Sequence, residues 1–225
     1  MRAYRALLRK DLLLEWRGRE LVPAMVVFVL GALLLVRFGL GGETQVGGTR
    51  AATGLLWVVV VFTSMLALVR SFAPEREHGI WDGLLATPAD RAAIWAARAS
   101  ATFLFLAVTQ AVALPVFWLF FLQQGHPPSL WVLAAALLLA DLGVATLGSL
   151  LAGLATHVRA REVLLPVLFL PFALPLVTVA VRVTVDTISP QTGGFHAAEG
   201  LGFLALYDTI FALLGWALFE YVVED

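Results

Sequence analysis

Six apolar runs, each long enough to cross a bilayer, set the terms on which this chain folds. They cover roughly residues 21–41, 51–72, 92–122, 130–156, 163–185 and 201–222. A span needs about 20 mostly apolar residues. Inside hydrocarbon each backbone N–H and C=O must be satisfied within the segment, so runs of this kind are helices. With 60% hydrophobic and 14% charged residues, the chain carries more apolar surface than a soluble domain could cover. The third and fourth runs exceed the required length and are expected to tilt, bend or extend into the interface. The predicted fold is an all-α membrane protein: an interfacial helix within 1–20, then a six-span domain over 21–225.

The fifteen basic residues orient the spans. Arg2, Arg5, Arg9, Lys10, Arg17, Arg19, Arg70, Arg76, Arg91, Arg98, Arg159 and Arg161 flank the connections on the side of the two termini. Only Arg37, Arg50 and Arg182 flank the other side. Basic residues accumulate on the cytoplasmic side, so both termini and the segment 73–91 are expected there. Trp16, Trp95 and Tyr221 fall near the inner interface, and Trp118 and Trp131 near the outer one. Residues 1–20 are charged, and the first apolar run is too long for a cleavable signal, so it is read as a retained span.

Residues 2–17 fit an interfacial helix. Tyr4, Leu7, Leu8 and Leu14 share one side, while Arg2, Arg9, Lys10 and Arg17 share the other. A basic helix ahead of a span can rest on anionic headgroups. Asp11 and Glu15 break the pattern by projecting from the apolar side.

The segment 73–91 is a compact charged insert between two greasy runs. Arg70 marks the inner end of the second span, and Pro74 is placed to start a short helix, its missing N–H costing nothing there. Glu75 and Glu77 favour that helix start through the dipole. Ile80, Trp81, Leu84 and Leu85 form one apolar face, with Asp82 among them in sequence. Thr87 then reads as the cap of the next helix, with Pro88 at its first position and Asp90 in its first turn. A short amphipathic helix in this place can lie on a membrane, act as an elbow, or dock into a partner.

Several chemistries are excluded. The chain has no cysteine, which removes disulfides, thiolate metal sites and C-x-x-C-H haem attachment. Its one lysine, Lys10, does not sit in a Gly-Lys-Ser/Thr loop, so there is no Walker A site and any ATP is held by another chain. No zinc-protease or serine-hydrolase motif occurs. A net charge of −1 gives no reason to expect nucleic acid.

Asp141 lies near the middle of span four and Asp208 about a third of the way into span six. Ionisable residues at such depth are functional candidates by default. They raise an intramembrane aspartyl protease as a rival, although Gly-x-Gly-Asp is missing; polar contacts inside the bundle are the favoured role. Span five carries Pro166, Pro171 and Pro175, a pattern for a kinked helix that lines a cavity, moves in gating, or simply packs. Span four carries Gly143, Ala145, Gly148, Ser149, Ala152 and Gly153, which permit close helix packing. Such a helix suggests contact with a second copy of the chain, a homodimer.

Three stretches carry a resemblance: "LLRKDLLLEWRGRE" before span one, "FAPEREHGIWDGLLATPADR" between spans two and three, and "TLGSLLAGLATHVRAREVLLPVLFLPFALPLV" across spans four and five. Together with the length and six-span layout, they resemble the cytochrome c maturation permease family CcmB, the membrane subunit of a bacterial ABC transporter-like complex. The third stretch is the most specific.

The resemblance implies an ABC-2-type permease-like fold in the bacterial cytoplasmic (inner) membrane and no enzyme activity in this chain. It implies a CcmA-like ATPase holding ATP, CcmC-like and CcmD-like partners, and a second copy of the chain. The work implied is haem export, or release of a haem-loaded chaperone. ATPase docking carries over to Glu75, Glu77, Ile80, Trp81, Asp82, Leu84 and Leu85. An ABC-2-type exporter of lipid, drug or polysaccharide is the alternative. His126 and His196 lie in loops with no aromatic cluster nearby in sequence, so haem is expected in the complex rather than on a site of this chain.

Overall fold

The computed structural model of the chain describes residues 2–39, 46–77, 90–121, 129–154, 161–188 and 196–224. Among these residues there is no strand. Helix α1 (Arg2–Gly18) is followed by α2 (Leu21–Gly39), α3 (Val46–Glu77), α4 (Arg91–Phe121), α5 (Leu130–Leu154), α6 (Arg161–Ile188) and α7 (Ala197–Glu224). The six from α2 onward are each long and apolar enough to span a membrane. Those six lie where the apolar runs predict them, with ends shifted by a few residues.

Two ends differ for definite reasons. Helix α3 does not stop near Arg70 but continues through Pro74 to Glu77. Proline's fixed φ suits a helix, and its cost is one lost bond to the carbonyl four residues back. At a helix end outside hydrocarbon, water can satisfy that carbonyl, so Pro74 does not begin a new helix. Helix α4 begins at Arg91, and its cap is Asp90 rather than Thr87. The Ala92 N–H donates to Asp90 Oδ1 (3.0 Å), and Ala93 and Ile94 donate to the Asp90 carbonyl, the arrangement of an N-cap.

Helix α5 is the centre of the bundle, packing against α3, α4, α6 and α7. Its small residues explain this. A Cβ on Gly143 would stand 2.6 Å from Asp208 Oδ1 of α7 and 2.8 Å from Leu176 Cδ1 of α6. One on Gly148 would collide with Leu68 of α3, and one on Gly153 would stand 2.7 Å from Phe219 of α7. Lipid tails are as apolar as leucine, so association in a membrane relies on close packing, and here side chains from three helices seat in notches along one. Ala145, Ser149 and Ala152 are buried as well. The small-residue stripe is therefore used within the protomer and offers no surface to a second copy, which corrects its use as an argument for a homodimer.

Four buried hydroxyls are satisfied locally: Thr63, Ser64, Thr109 and Thr184 each donate to the carbonyl four residues back. Thr184 also accepts from the Trp57 indole N–H (3.1 Å), tying α3 to α6. Helix α6 runs unbroken through its three prolines. Pro171 and Pro175 lie on its exposed face with Val167, Leu170 and Leu174, and Pro166 is partly buried.

One turn before Pro175, the Phe172 carbonyl accepts from the Tyr207 hydroxyl of α7 (2.8 Å), in a seam where Phe211 packs on both Tyr207 and Phe172. Neighbouring helices commonly satisfy backbone groups near intramembrane prolines. Tyr207→Phe is expected to cost about 1 kcal/mol in thermal unfolding. Pro175 withholds a donor from the Pro171 carbonyl, one residue before Phe172, so the cost should be the same in a Pro175→Ala background; a smaller cost there would show that the proline loosens the backbone around the contact.

Candidate functional site

The segment joining α3 to α4 carries the residues expected to dock a partner. Glu75 and Glu77 lie in the last turn of α3; Ile80, Trp81, Asp82, Leu84 and Leu85 lie outside the described residues. What the structure describes is the base that follows this segment in the chain.

That base is a second hydrophobic cluster, separate from the main core. Ile94, Trp95 and Ala99 of α4, Leu150 of α5 and Phe219 of α7 are buried together, with Leu7 of α1 packed on them. The first two turns of α4, immediately after segment 73–91, are thus locked to three other helices. Trp95 is buried, with its indole N–H directed at the Thr146 carbonyl (3.4 Å), so it is a core residue and not part of an interfacial belt. A Cβ on Gly215 of α7 would collide with that indole. Trp131 (87% exposed), by contrast, stands outside the bundle, and Trp118 is also exposed.

Helix α1 completes the base. Tyr4 Oη lies 3.0 Å from Ser100 Oγ. Asp11 Oδ2 lies 3.6 Å from Arg98 Nη1 in a pair that is almost wholly buried, and Asp11 Oδ1 lies 3.4 Å from Lys10 Nζ. Burial pushes the Lys10 ammonium below its ordinary range, and Asp11 partly offsets this. Glu15 reaches the next helix: its Oε1 accepts from Val22 N–H (2.8 Å) and its Oε2 from Leu21 N–H (3.2 Å). A carboxylate on these first N–H groups both caps α2 and suits its dipole. Between the helices Arg19 adopts a left-handed φ of 52°, which turns the chain sharply.

The two acids that break the amphipathic pattern of α1 are therefore the residues that dock it. Their misplacement on an apolar side was the available signal. Arg98, Ser100 and Gly215 gave none, because their roles depend on which helix lies opposite.

Asp141 and Asp208 are both buried, and neither carboxylate makes a hydrogen bond within the described residues. Gln110 of α4 faces Asp141 with its Nε2 also unbonded, whereas Asp208 lies over Gly143. Positions 141 and 143 point to opposite sides of α5 at 100° per residue, so the structure does not assemble the two acids into a dyad. Among the described residues no group of three His, Asp or Glu side chains could hold a metal. His196 sits exposed at the start of α7, where its carbonyl accepts from Glu199 and Gly200; His126 lies outside the described residues.

Comparison with known proteins covers the same architecture. The CcmB protein family matches residues 2–209, a range that includes α1. A heme exporter protein B of Paracoccus denitrificans is 35% identical over 208 residues, 90% of this chain and 93% of that protein. A heme exporter protein B of Rhodobacter capsulatus is 32% identical over 171 residues, 76% of this chain and 77% of that protein. With six membrane-crossing helices, an N-terminal helix docked across α4, and a match over nearly its whole length, this multi-pass membrane protein belongs to the CcmB family.

Proposed function

We propose that the chain is the permease subunit of an ABC-type complex for cytochrome c biogenesis, and that its segment 73–91 receives movement from a separate ATPase. The observation that carries this is the locked base: the turns following the segment are fixed to α1, α5 and α7 at once. A force applied to the segment is then delivered to the bundle as a whole rather than absorbed in a hinge. The lack of any Walker A sequence in the chain requires the nucleotide to be elsewhere. The relatives' name supports haem export as the work done; release of a haem-loaded chaperone is the other task that the resemblance implies.

In this scheme both termini are cytoplasmic and the membrane is the bacterial inner membrane, as the segregation of basic residues supports. Glu75, Glu77 and Asp82 face a CcmA-like ATPase, and Ile80, Trp81, Leu84 and Leu85 fill its groove. CcmC-like and CcmD-like subunits and a second copy complete the complex; the second copy is supported by one docking segment per chain, since ABC ATPases work in pairs. Pro166, Pro171 and Pro175 give α6 a weakened backbone for gating, and Asp141 and Asp208 act as intramembrane polar contacts.

The test is Trp81→Ala with Leu84→Ala in the full chain. Co-purification of the ATPase subunit should be lost while membrane insertion and the thermal unfolding midpoint stay unchanged. Retained co-purification would overturn the docking role.

A further inference from the structure

We propose that one flank of α1 is a binding surface for anionic phospholipid in the adjoining leaflet. Leu8, Leu12, Leu13 and Trp16 share this flank with Arg5 and Arg9 and line a shallow open hollow of about 390 Å³. Trp16 is 73% and Leu13 41% exposed, and both arginines are exposed. The Arg19 guanidinium lies 5.8 Å from the centre of the Trp16 ring, which brings a third cation to the rim.

Charge argues for the occupant. Helix α1 contains two acids, and both are turned away: Asp11 to Arg98 and Lys10, Glu15 to the start of α2. What remains on the outer sides of the helix is apolar surface with Arg5, Arg9, Arg17 and Arg19, followed by the exposed Glu20 beyond its end. An apolar floor with a guanidinium rim matches an acyl chain beneath a phosphate headgroup, because arginine binds phosphate through paired donors and tryptophan favours the membrane interface. The two-residue link to α2, a span, holds this flank at the level where such headgroups lie. Leu8 and Leu12 also pack against the main core, so a protein partner would meet this surface only by covering the exposed Leu13 and Trp16 beside a bilayer edge. The proposal is independent of the ATPase-docking role.

The test uses the full chain, whose lack of cysteine lets Leu13→Cys carry a single environment-sensitive fluorophore. In neutral detergent micelles, added phosphatidylglycerol should shift its emission at lower mole fraction than phosphatidylcholine does. Each arginine near an anionic surface contributes about fivefold, so Arg5→Gln with Arg9→Gln should raise the half-saturating phosphatidylglycerol fraction about 25-fold. Arg5→Lys with Arg9→Lys keeps the charge and should retain most of the response. Equal responses to the two lipids, loss of response in the lysine variant, or a shift seen only on adding the ATPase subunit would each overturn the proposal.

Discussion

Asp11→Ala is expected to destabilise the protein by about 3 kcal/mol, the scale for removing one partner of a buried ion pair. The cost arises because Arg98, almost wholly buried, loses the carboxylate 3.6 Å from its Nη1. Thermal unfolding in detergent would measure it, and limited proteolysis should show α1 cleaved before the spans. Asp11→Asn separates charge from packing, since it keeps the shape. If Asn and Asp gave equal stability, the ion pair would contribute nothing and α1 would be held by its other contacts, those of Tyr4, Leu7, Leu8, Leu12 and Glu15. Salt should change the wild-type midpoint little, because buried pairs are poorly screened.

Gly215→Ala is expected to cost about 2–3 kcal/mol. The added methyl has no room beside the Trp95 indole, and overpacking a filled core forces side chains off their preferred rotamers. Moving the ring also pulls its N–H from the Thr146 carbonyl. Trp95→Leu alone should be destabilising, but combined with Gly215→Ala it should cost less than the sum of the two, since the smaller side chain admits the methyl. Simple additivity would mean that the collision is relieved by helix movement and not by the indole. Both substitutions act at the start of α4, next to segment 73–91, so under the proposed docking role either should reduce the response of the bundle to the ATPase even where the protein still inserts.

The spans were legible because hydrocarbon leaves a chain few choices: a run of about 20 apolar residues must close its hydrogen bonds locally, whatever surrounds it. Glycines 143, 148 and 153 could be recognised as close-packing positions for a related reason, since no other residue allows such approach. Their partners could not be read. Whether a small-residue stripe faces a neighbour in the same chain or in another copy depends on the tertiary arrangement, and Leu68, Leu176 and Phe219 supply an answer that periodicity does not contain. Trp95 was assigned to the interface by its sequence depth alone, although the missing side chain at Gly215 gives it a pocket. Asp11 and Glu15 were visible only as faults in a pattern. The faults became roles once Arg98 and the first N–H groups of α2 stood opposite.

The contact between Tyr4 and Ser100 joins residues 96 positions apart. During synthesis at about 5–20 residues per second, the N-terminal helix leaves the ribosome about 5–20 s before the residues that hold it. Throughout that interval the first span can already be inserted while α1 is tied only to the start of α2 through Glu15, so its apolar side is left to the leaflet. Final docking must then wait for the third span to enter the bilayer, making it a late checkpoint on correct topology.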